Sequence, residues 1–220
     1  MNKNISSTQK VLNVWAIILI VWAIYRIKFT LPEWFDEFIA KPLVFVGPVI
    51  WYIKRIEKKA ILSGLWLNFS KISSDTMYGI LIGLIFFAVG ATSYYFKTGS
   101  VNLLTPIFSA GIPKFVTFLI FALATGISEE ILSRGFILKR LYEDSKNVLS
   151  SSFNTSVLFL ILHIPILFTN AKLTGSLLLM FMATDMLLSL ANSFIFLDRK
   201  SLTLPILIHT FYNLAIILYV

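Results

Sequence analysis

The apolar residues of this chain fall in long runs, and the polar residues collect between them. A bilayer-spanning helix needs about 20 mostly apolar residues, and seven runs approach that length. They are Val11 to Ile27, Pro42 to Ile53, Met77 to Phe96, Lys114 to about Ser133, Phe153 to Phe168, Leu173 to Leu197 and Leu202 to Val220. The first ends at Arg26 and Lys28 with no small-residue cleavage site behind it, so it is expected to be an anchor and not a removed signal peptide. The second is short. Extending it back through Phe35 to Ala40 brings in Asp36 and Glu37, which places part of it in the interface. Residues 54–75 form a basic linker in which Ile61, Leu65 and Leu67 alternate with polar positions, the pattern of a helix on the membrane surface. The alternation of a transmembrane barrel is absent. The predicted fold class is all-α: one polytopic membrane domain over residues 1–220 with about seven transmembrane helices, six to eight.

Composition agrees. Of 220 residues 57% are hydrophobic and 14% charged, with a mean hydropathy of +0.83, which excludes both a soluble surface and a disordered chain. The absence of cysteine excludes disulfide scaffolds, thiolate zinc sites and cysteine nucleophiles. A net charge of +8 could suggest nucleic acid, but membrane proteins concentrate Lys and Arg in cytoplasmic loops. Distributing the 19 basic residues over alternating sides of seven spans puts 13 with the N-terminus and 6 opposite. The expected arrangement is an integral plasma-membrane protein with its N-terminus cytoplasmic, lipids as partners and no nucleic-acid partner. The abundance of Ile, Phe, Lys and Asn points to an AT-rich bacterium.

Ionisable groups inside spans are costly, which makes Glu129, Glu130, Arg134, His163, Asp185 and His209 the functional suspects. Glu130 and Arg134, Phe159 and His163, and His209 and Asn213 are each four residues apart and share a helix face. At about 1.5 Å per residue from the cytoplasmic ends, Glu129 lies roughly 6 Å deep, His209 roughly 11 Å and His163 roughly 15 Å, all in one half of the bilayer. Singly, each has a structural reading: a charge pair closing a helix end, or an interhelical hydrogen bond; Asp185 reads as a packing group or a partner to the site. Jointly, a carboxylate beside an imidazole can deprotonate water, and an imidazole with a carboxamide can stabilise an oxyanion. Glu129, His163, His209 and Asn213 could equally hold zinc with an open position, and their spacing matches no HExxH helix.

The segment from Glu129-Glu130 to Arg134 resembles the EExxxR motif of the CPBP family, the CAAX-protease and bacteriocin-processing membrane proteins also called Abi. Phe159 to His163 resembles its FxxxH motif and His209 to Asn213 its HxxxN motif, in the family's order and in separate spans. The resemblance covers residues 115–220. It implies an intramembrane endopeptidase acting on a lipidated or membrane-embedded substrate near the cytoplasmic face. By that resemblance Glu129 activates water with His163, His209 and Asn213 stabilise the oxyanion, Glu130 and Arg134 brace the site, and Phe159 packs beside it. Both a metalloprotease and a metal-free glutamate mechanism are described for the family. Ser133 departs from the aromatic often found there, and Ser189, Ser193 and Lys200 occupy a region usually richer in glycine. Two alternatives use or bypass the same site: acyl or amide transfer on a lipid or lipoprotein, and a bacteriocin-immunity protein that binds a peptide without catalysis.

Overall fold

The computed structural model describes residues 6–102, 104–169 and 175–219; the predicted start of the sixth span at Leu173 and the final Val220 lie outside them. Helices account for nearly all of the described residues, with no strand among them. Helix α1 is Ser7–Lys28, begun by the Ser6 side chain accepting from the Gln9 N–H. Helix α2 covers residues 33–57. Its Pro42 and Pro48 cannot donate to the preceding turn, and it widens into π turns at Asp36–Ala40, Pro42–Val46 and Ile53–Glu57. There follow α3 (Ile61–Leu65), α4 (Ile72–Thr98), α5 (Thr105–Ala110), α6 (Ile112–Ser145), α7 (Val148–Thr169), α8 (Gly175–Arg199) and α9 (Thr203–Tyr219).

By length and composition α1, α4, α6, α7 and α8 can cross a membrane, and α9 is a shorter apolar helix. Exposed Ile20, Ile24, Leu84, Ile85 and Leu187 give these helices an apolar exterior suited to lipid. The second predicted span, α2, is not among the five. Charges flank it, Asp36, Glu37 and Lys41 at one end and Lys54, Arg55 and Glu57 at the other, and the first three are buried against protein. The linker is not a single surface helix either. It is broken by Trp66, which turns the chain at a φ of 53°, and Leu65 is buried in the core.

That core joins the two halves of the chain: Trp22, Phe45, Ile53, Leu132, Phe136 and Leu162 bring α1, α2, α6 and α7 together. On the other side α9 packs between α4 and α6. The approach to α4 is close because Gly79, Gly83 and Gly90 face Leu207, Phe211 and Tyr219; a Cβ on Gly83 would lie 2.6 Å from the Phe211 ring. At one end of the bundle the N-terminus of α1, the linker and the α6–α7 and α8–α9 connections meet. Thr8 donates to Asp144, Arg140 pairs with Glu57 at 2.9 Å, and Arg199 pairs with Asp75 at 2.6 Å. The side of the chain predicted to be basic is therefore a single end of the molecule.

Helix α6 continues past its predicted end at Ser133. Wide π turns over Ile131–Leu138 begin directly after Glu130, and the Arg140 guanidinium donates to the Gly135 and Phe136 carbonyls at 2.6 and 3.3 Å. Ser133, Arg134, Lys139 and Arg140 are all buried, so the helix has no reason to leave the bundle where its sequence turns polar. Glu129 consequently lies near the midpoint of α6 and not one turn from its end, as a span closing at Ser133 would place it.

Candidate active site

Glu129 and Glu130 are successive residues of α6 and so point in different directions. Glu130, fully buried, is a hub: its Oε1 accepts from Arg134 at 3.0 Å, from His209 Nδ1 at 2.9 Å and from Asn192 Nδ2 at 3.2 Å. The Arg134 guanidinium also donates to the Ser189 carbonyl at 2.9 Å and lies 4.9 Å over the Phe159 ring. Arg134 and Glu130 are thus a buried pair supported by His209, Asn192 and the Ser189 carbonyl, while Glu130 Oε2 and Arg134 Nε have no protein hydrogen bond. Because an ionised carboxylate only accepts, its contact places a proton on His209 Nδ1 and turns Nε2 the other way.

Glu129 lies where both Nε2 atoms point. Its Oε2 is 3.8 Å from His163 Nε2 and 3.6 Å from His209 Nε2 and receives no hydrogen bond from the protein. His163 is oriented in the same way as its counterpart: Nδ1 donates to the Phe159 carbonyl at 3.1 Å and faces Asp185 at 3.7 Å. The Phe159 ring packs edge-on against both imidazoles, at 4.8 and 5.9 Å. Glu129 Oε1 faces the other way, toward Lys41 Nζ of α2 at 3.0 Å, and Lys41 in turn meets Glu37 at 2.7 Å.

Two cavities border these groups. Glu129, His163 and Phe159, with Trp22 and Phe45, line one of about 10 Å³, the room of a single water. Asn213, one turn beyond His209, does not reach Glu129. It lines a second cavity of about 140 Å³ together with Thr125, one turn before Glu129, and Phe181, which packs against His163. The structure therefore brings Glu129, Glu130, Arg134, Phe159, His163 and His209 together and sets Asn213 at a neighbouring wall.

The same groups are the candidate ligands for a metal ion. Among the described residues no three His, Asp or Glu side chains converge closely enough to hold an ion. The two histidine nitrogens stand 3.8 and 3.6 Å from Glu129 Oε2, somewhat beyond the ~3.3 Å between tetrahedral ligands each ~2 Å from one zinc, Asn213 lines the other cavity, and an ammonium already meets Oε1. As arranged, the side chains form no closed three-ligand set among the described residues.

Sequence comparison gives one family match. Residues 111–215 match the family described as type II CAAX prenyl endopeptidase Rce1-like. This segment matches the CPBP and CAAX-protease family. The match is to an intramembrane endopeptidase family, carried on an all-α polytopic membrane chain. No curated protein and no solved structure compared with the chain matches it.

Sequence reasoning missed Asn192, which supports Glu130, and the Lys41–Glu37 pair. Both left a signal: an Asn within an apolar run, and a Glu and Lys four apart just before a predicted span.

Proposed function

We propose that the protein is an endopeptidase that hydrolyses a peptide bond of a lipidated or membrane-embedded substrate, with Glu129 as general base. The observation that carries this reading is the buried Glu129 Oε2, free of protein hydrogen bonds, facing two imidazole Nε2 atoms beside a cavity of one-water size. A water held between Glu129 and His163 Nε2 gives a proton to Glu129 as its oxygen attacks the scissile carbonyl. The negative charge that develops on the carbonyl oxygen is met by His209, which donates from Nε2 as an imidazolium whose Nδ1–H is held by Glu130, and it faces Asn213 on the wall of the larger cavity. As the intermediate collapses, the C–N bond breaks and Glu129 returns the proton to the departing amine. The apolar walls around Asn213 suit a hydrophobic segment arriving from lipid, and α6 places the cut near mid-bundle. The concentration of basic residues at one end supports a bacterial plasma-membrane protein with a cytoplasmic N-terminus.

The test is purified protein in detergent with an internally quenched peptide ending in a farnesylated CAAX sequence, the products identified by mass spectrometry. Cleavage by the wild type and its loss in Glu129→Gln at unchanged melting temperature is the expected result. A fully active Glu129→Gln protein overturns the assignment. A modified lipid or acylated product without a shortened peptide assigns the same groups to acyl transfer.

A further inference from the structure

We propose that Lys41, from the half of the chain outside the CPBP segment, is a positioning residue for Glu129: its ammonium holds Oε1 and so makes Oε2 the oxygen that meets the water. The inference rests on Glu129 being the general base.

Lys41 is only 6% exposed, and its Nζ lies 3.0 Å from Glu129 Oε1 and 2.7 and 3.0 Å from the two oxygens of Glu37. Thr125, one turn before Glu129 on α6, donates to Glu37 Oε2. The contacts close a ring from α6 to α2 and back, with two carboxylates sharing one ammonium. Buried charges are retained when they are paired and hydrogen-bonded in this way, and the Lys41 donors are all committed to the two acids.

The need for such a clamp follows from the carboxylate itself. The terminal torsion of glutamate is broad and roughly two-fold, so nothing intrinsic distinguishes Oε1 from Oε2. With Oε1 tied to Lys41, Oε2 is left between the two imidazoles and beside the small cavity. Fixing a reacting atom in that manner raises the fraction of molecules in attacking geometry without touching substrate affinity. Helix α2 delivers the lysine through its π turns: Pro42 immediately follows Lys41, and the wide turn over Asp36–Ala40 precedes it. The N-terminal half thereby becomes part of the active site and not only its anchor.

A merely structural tie between α2 and α6 would lower stability and leave the turnover of folded protein alone. The positioning role predicts that Lys41→Met lowers kcat by roughly 30-fold or more while KM stays within about twofold, and that Lys41→Arg recovers most of the loss. Wild-type kcat in folded Lys41→Met, or no recovery in folded Lys41→Arg, overturns the proposal. Should Lys41→Met not fold, Glu37→Gln loosens the lysine while leaving Glu129 in place; a several-fold fall in kcat is expected, and an unchanged kcat overturns it. The clamp also has a readout independent of turnover. Labelling of Glu129 by dicyclohexylcarbodiimide, followed by peptide mass spectrometry, should rise at least about threefold on Lys41→Met, because the carboxyl is no longer held by the ammonium. Equal labelling overturns the clamp. If the wild type fails to cut the peptide, the peptidase reading fails while the labelling still decides the contact.

Discussion

Two clusters of buried charge lie in this bundle, one at its basic end and one at its centre, and they are finished differently. At the end, Asp75 is wholly buried and both its oxygens are taken, one by Arg199 and one by the Ser201 hydroxyl. Both oxygens of Glu57 are likewise taken by Arg140, at 2.9 Å each. At the centre, Glu129 Oε2, Glu130 Oε2 and Asp185 Oδ2 are just as buried and have no protein hydrogen bond. A buried polar atom left without a partner costs about 1 to 3 kcal/mol, more for charged groups, so a fold that closes one cluster and leaves another open retains the second for a different reason. Charge inside a membrane protein marks both places. On the proposed function, incomplete satisfaction separates the working cluster from the structural one.

The sharpest way to break that contrast is at Glu129. Glu129→Gln keeps the shape of the side chain and removes the base, and kcat is expected to fall by about 10³-fold or more with little change in melting temperature. If stability collapsed and residual turnover persisted, the central cluster would be structural like the other.

Next in size is the brace behind it. Arg134→Met leaves Glu130 without its cation in a fully buried position, and a loss of about 3 to 5 kcal/mol is expected from thermal or denaturant unfolding in detergent. Adding Glu130→Gln should cost less than the two single changes together, since both act on one network. Strict additivity would show that the pair is not coupled.

A smaller effect is expected at the closed cluster. Asp75→Ala frees Arg199, whose side chain already reaches solvent, so about 1 to 3 kcal/mol of stability should be lost. The kcat of the folded protein should stay within about twofold of wild type, because no contact runs from Asp75 to Glu129. A selective loss of kcat would erase the distinction between the two clusters.

Much of this was legible in the sequence, for physical reasons that also set the limits. Apolar runs announce spanning helices because lipid forces the backbone to satisfy itself, and spacings of four residues place side chains on one face. The helices and the Glu129, His163 and His209 grouping could be read on those grounds. The length of α6 could not be. A polar residue in a sequence looks like the end of a span, and only packing shows that Arg134 and Arg140 are buried against partners from other helices. The contribution of α2 was hidden for the same reason: Lys41 and Glu37 look interfacial until α6 supplies Glu129 and Thr125. The position of Asn213 was hidden by geometry, since a spacing of four fixes a shared helix face and not a shared cavity.

The smallest expected effect tests whether an unpartnered atom is informative in itself. Ser152, Thr155 and Ser156 on α7 are fully buried, and their hydroxyls too have no hydrogen-bond partner. They carry no charge and face neither cavity described around Glu129. A neutral hydroxyl without a partner contributes only its desolvation, so Ser156→Ala removes a cost and leaves a methyl that still fills the helix contact. Stability is expected to change by less than about 0.5 kcal/mol, toward stabilisation if anything, and kcat should not change. A marked loss of turnover in Ser156→Ala would mean that these hydroxyls belong to the working cluster. Open valences would then define a region running along α7, and the boundary drawn at the carboxylates would have to move.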